Sequence, residues 1–151
     1  MNAFVAFLHH LCFIVIMLAL FAEILLLKDA PTLATAVKIR RYDTMYGIAA
    51  LLVLVIGGLR VMVFEKGAAY YMHNAAFMAK MGLFIAAGLL SVYPTVVFAK
   101  WGKAVKQGVA PVIPDVVRGR VRLVVHVEAG LLLLMVLCAA MMAKGIGSMG
   151  G

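Results

Sequence analysis

Cysteine is scarce in this chain. Cys12 and Cys138 are the two present, both lie inside apolar runs, and no spacing pairs them. That excludes a disulfide framework and a CxxC redox motif, and leaves two small apolar residues suited to burial. Charge is also scarce, at 13% of 151 residues, against 66% hydrophobic and a mean hydropathy of +1.11. A water-soluble domain of this length cannot hide so much apolar surface, so lipid is the solvent for much of the chain. Also missing are a P-loop, GxSxG and HExxH, and the lone GxGxxG spacing, at 145–150, follows an apolar helical run rather than a strand. Nucleotide-binding and hydrolase readings therefore have no support. The net charge of +8 does not indicate nucleic acid, because the cations sit between apolar runs and no basic motif with interleaved aromatics occurs.

What is present is four long apolar runs, which predict helices at 3–27, 42–64, 75–99 and 121–143. Each is long enough to cross about 30 Å of hydrocarbon at about 1.5 Å per residue. The length predicts one domain, 1–151. The first run has no basic residue before Lys28, so it reads as a mature helix rather than a signal peptide. Asp43 or Thr44 is the expected cap of the second helix, with 32–41 a short surface helix. Pro94 is expected to bend the last turns of the third, and Trp101 suits the membrane interface. The fold expected is an all-α integral membrane four-helix bundle, antiparallel and up-down.

The cations Lys28, Lys38, Arg40 and Arg41 fall in one loop, and Lys100, Lys103, Lys106, Arg118, Arg120 and Arg122 in or beside another. The positive-inside rule then makes 28–41 and 100–120 cytoplasmic loops, with both termini on the non-cytoplasmic side. The location expected is a bacterial inner membrane.

With that topology the intramembrane polar residues sort into two layers. The outer one holds His9, His10, Arg60, His73 and Lys80; the inner one holds Glu23, Asp43, Tyr46, Tyr93, Arg122, His126 and Glu128. At about 100° per residue, positions 14 apart nearly coincide, so His9 shares a face with Glu23, and Tyr46 with Arg60. His10 lies elsewhere. Lys80, Ala87, Ser91 and Pro94 form one stripe, which His73 joins if its helix starts early. His126 and Glu128 point to different faces, and Glu128 is the one expected to face the core.

The outer layer suits haem b, with His9 and His73 as axial metal ligands and Arg60 and Lys80 beside the propionates. In the inner layer Glu23, Glu128 and His126 suit a proton relay, a common use of such groups inside membranes. The first functional expectation is a haem-b redox protein acting on a quinone or a porphyrinogen. The alternatives are a proton or copper transport protein and a non-catalytic assembly partner.

 A four-helix transporter would need to form a homo-oligomer. The glycines at 57, 58, 82, 88 and 130 would serve close helix packing in the last of these.

Three stretches, RYDTMYGIAALLVLVIGGLRV, KGAAYYMHNAAFMAKMGLFIAAGLLSVYPT and RLVVHVEAGLLLLMVLCAAMMAKGIG, resemble a bacterial four-helix membrane family catalogued as a domain of unknown function. A more distant similarity is to HemJ-type protoporphyrinogen oxidases, carried by Leu8-His9, by Phe77 with Lys80, and by Arg122-Leu123 followed by Glu128-Ala129-Gly130-Leu131. That similarity implies haem b on His9, with Lys80 and Glu128 as catalytic-site residues, to which the relay reading adds Glu23. The chain departs from it at Met78 and at Tyr93-Pro94, where the HemJ pattern has histidines. CopD-type copper-resistance membrane proteins share the helical layout.

Overall fold

The computed structural model describes residues 2–64 and 73–145. Its helices are α1 (Asn2–Leu26), α2 (Leu33–Leu59), α3 (Ala75–Lys100), the short α4 (Gly102–Lys106) and α5 (Asp115–Ala143). A π-helical segment, Arg60–Phe64, continues α2. Four of these helical stretches are long and apolar enough to cross a membrane. The architecture is therefore the expected all-α membrane bundle.

Each long helix turns a narrow stripe to the core. On α1 the stripe is Ile16, Ala19, Leu20 and Glu23, continued by Leu27 just past its end; on α5 it is Val121, Val125, Glu128, Leu132 and Met135. These spacings of three, four and seven are those of one helical face. The other faces carry large apolar side chains outward, among them Leu18, Leu51, Leu89 and Leu133, each at least 60% exposed. Lipid tails solvate such a surface, which in water would be an aggregation hazard. Packing is closest within two pairs, α1 with α2 and α3 with α5, while α1–α5 and α2–α3 contacts join the pairs more loosely. Both cysteines are free and half-buried.

Two helix starts differ from the sequence expectation. The second helix begins at Leu33, not Tyr42, and the fourth spanning helix begins at Asp115, not Val121. The cap of α2 is Thr32 rather than Asp43 or Thr44: the Thr35 amide donates to Thr32 Oγ1 at 3.2 Å, and the Thr32 amide to Thr35 Oγ1 at 2.8 Å. Thr44 lies inside the helix and donates to the Arg40 carbonyl at 2.9 Å. The physical reason is common to both ends. Basic residues mark where lipid stops, but a charged side chain on a solvated turn does not stop a helix. Thr32→Ala is expected to lower the stability of the purified protein by about 1 kcal/mol in thermal or denaturant unfolding, the usual cost of losing a cap.

α3 runs unbroken through Pro94, which is buried. Asn74 caps it, accepting from the Phe77 amide at 3.0 Å. His73 therefore precedes the helix and is exposed, and it does not join the Lys80 stripe. Trp101 is buried against Phe98, with ring centroids 5.1 Å apart. The guanidinium of Arg40 lies on Gly102, where an added Cβ would sit 3.1 Å from Nη2. That contact ties the first turns of α2 to the start of α4.

Candidate functional site

Polar groups inside the bundle gather mainly in the half nearer the basic loops. Glu23 of α1 and Glu128 of α5 occupy core-stripe positions otherwise held by aliphatic residues, and are 3% and 1% exposed. Asp43 and Glu128 both act electrostatically on Glu23, so the three carboxyl groups form one cluster. Tyr46 of α2 is buried and reaches the Glu128 carboxyl with its hydroxyl. Thr95 of α3 donates to Asp43 Oδ1 at 2.7 Å. Arg40 faces Asp43 from one turn earlier on α2. All four spanning helices thus contribute.

Two carboxyl oxygens in this cluster, Glu23 Oε1 and Glu128 Oε1, are buried without a hydrogen-bond partner. Buried polar atoms in folded proteins nearly always find partners, and an orphaned one costs about 1–3 kcal/mol. Among the described residues three buried side-chain atoms lack a partner, and two of them are on these carboxyl groups.

Beside Tyr46, a cavity of about 190 Å³ lies between α2 and α3, lined by Gly47, Ala50, Ala87, Gly88 and Ser91 among others. Nothing stands within 4 Å of a Cβ built on Gly47 or Gly88, so the small residues leave the space open.

The remaining inner-layer residues do not join. Tyr93 is 37% exposed. His126 is exposed, and its Nδ1 donates to the Arg122 carbonyl at 2.6 Å, while Arg122 is itself exposed. Glu128 rather than His126 faces the core, as the two-residue offset implies. Thr95 was not singled out in the sequence, although it sits one turn beyond Ser91 on the edge of the Lys80 stripe.

In the outer layer His9 lies within electrostatic range of Arg60, Lys80 and His10. Its ring packs on α2: Cε1 would be 3.1 Å from a Cβ at Gly57, and the ring reaches the Val53 carbonyl. Nδ1 is buried without a hydrogen-bond partner. Nδ1 would be 3.6 Å from the same built Cβ, so this edge of the ring is turned against α2. His10 turns outward and donates from Nδ1 to the Ala6 carbonyl at 2.6 Å. Among the described residues no group of three or more His, Cys, Asp or Glu side chains is placed to hold a metal ion.

No curated protein and no solved structure matches the chain. The comparisons thus bring no support to the HemJ-type or CopD-type similarity. A family model does match, over residues 1–147, and the four apolar helices agree with its description: the chain belongs to the family described as "Predicted membrane protein (DUF2214)".

Proposed function

We propose that this membrane protein transfers protons through the carboxyl cluster of Glu23, Asp43 and Glu128. The observation that supports it is the pair of buried, unpartnered oxygens on Glu23 and Glu128 within a lipid-spanning bundle. Carboxyl groups at this depth are costly, and one kept for architecture alone would have both oxygens satisfied. A free lone pair is instead a place to receive a proton. Asp43 is less buried than the two glutamates and lies on the side of the basic loops, so it exchanges with water there. Transfer onward breaks an O–H bond on one carboxyl and forms one on the next, with the Tyr46 hydroxyl able to donate to Glu128 and accept in return. By the positive-inside rule, Asp43 then opens to the cytoplasm of a bacterial inner membrane.

The test is proton flux into liposomes that hold the purified protein, driven by a potassium diffusion potential and read by an internal pH dye. Flux above that of protein-free liposomes is expected, with at least a tenfold loss in Glu23→Gln and in Glu128→Gln. A wild-type signal equal to that of empty liposomes, or full flux in both variants, would overturn the proposal.

A further inference from the structure

We infer that the basic end of the bundle holds one anionic phospholipid, in the pocket between α3, α4 and the connection 107–114. This pocket has a volume of about 350 Å³, and Lys100, Trp101, Ala104, Pro111 and Val117 help to line it. That is within the usual range of ligand sites, about 300–1,000 Å³.

Three observations identify the occupant. The first is depth. α3 has 26 residues, which at about 1.5 Å each exceeds about 30 Å of hydrocarbon and brings its last residue, Lys100, to the headgroup level. The second is charge. Lys100 and Lys103 are exposed one turn apart, whereas the acidic Asp115 is engaged by Arg118 at 2.7 Å. Neither lysine has an ion pair with a carboxylate among the described residues; such cations favour a phosphodiester, and lysines at a membrane surface attract anionic lipid. The third is the apolar lining. Val97, Ala104, Ile113 and Val117 give a soluble phosphate nothing to bind, but they suit the glycerol and first methylenes of an acyl chain. Val112, 97% exposed at the rim, has the character of a residue that dips into lipid. Proline at 111 and 114 lacks an amide N–H, so the connection presents fewer unpaired donors to that chain.

Native mass spectrometry of the purified full-length protein tests the inference, with phosphatidylglycerol and phosphatidylcholine of identical acyl chains added in equal amounts. One phosphatidylglycerol is expected to remain bound at collision energies that strip phosphatidylcholine. Lys100→Gln is expected to weaken retention roughly fivefold, the scale of one lysine at an anionic surface. Ala104→Trp, which fills the pocket, is expected to weaken it at least as much, and Lys144→Gln at the other end to leave it unchanged. Thermal unfolding of each variant confirms that it is folded. Equal retention of the two lipids, displacement by millimolar inorganic phosphate, or unaltered binding in both Lys100→Gln and Ala104→Trp would overturn it.

Discussion

Glu128→Met is expected to raise the unfolding temperature of the protein while abolishing proton flux. Methionine has about the volume of glutamate and carries no oxygen to leave unpaired, and position 128 faces an otherwise aliphatic stripe of α5. Removing an orphaned buried acceptor relieves about 1–3 kcal/mol, a gain of a few degrees in unfolding temperature. The Tyr46 hydroxyl loses its acceptor in the exchange, which offsets part of the gain. Tyr46→Phe combined with Glu128→Met removes that offset and is expected to be the more stable of the two. Stability and function then move in opposite directions, as they do where a strained or unsatisfied site is kept for its chemistry. The measurement is thermal unfolding in detergent alongside liposome flux. A fall in unfolding temperature in both variants would show that the carboxyl supports the fold instead.

The second large effect concerns the other end of the bundle. Gly57→Leu is expected to destabilise the protein by about 1–3 kcal/mol, the range for overpacking a close interface. A Cβ at Gly57 would already stand 3.1 Å from His9 Cε1, tighter than ordinary contact, and the rest of a leucine side chain needs room that the ring occupies. Adding His9→Ala opens that room, so the double variant is expected to recover most of the loss. The coupling in a double-mutant cycle should be on the order of 1–2 kcal/mol. If the two effects simply add, the ring and the glycine are not packed as the structure places them.

Both sites were partly legible in the sequence. Helical periodicity put Glu23 on one face with His9 and made Glu128 the residue expected to face the core, because side chains at matching angles around a helix must face the same way. The same arithmetic separated His126 from Glu128. Helix ends were less legible: the loop cations suggested starts at Tyr42 and Val121, whereas α2 and α5 extend to Leu33 and Asp115 as solvated turns beyond the lipid.

Hydropathy and charge placement alone determined that this chain crosses a membrane four times, since no water-soluble core could absorb its apolar surface. Which polar groups meet was settled only in three dimensions. Thr95 and Asp43 are 52 residues apart, and neither Arg40 against Gly102 nor His9 against Gly57 follows from any local repeat. Such pairs depend on how far each helix slides and turns against its neighbour. That is a property of packed side chains along a whole interface, and a period read along a single helix does not contain it.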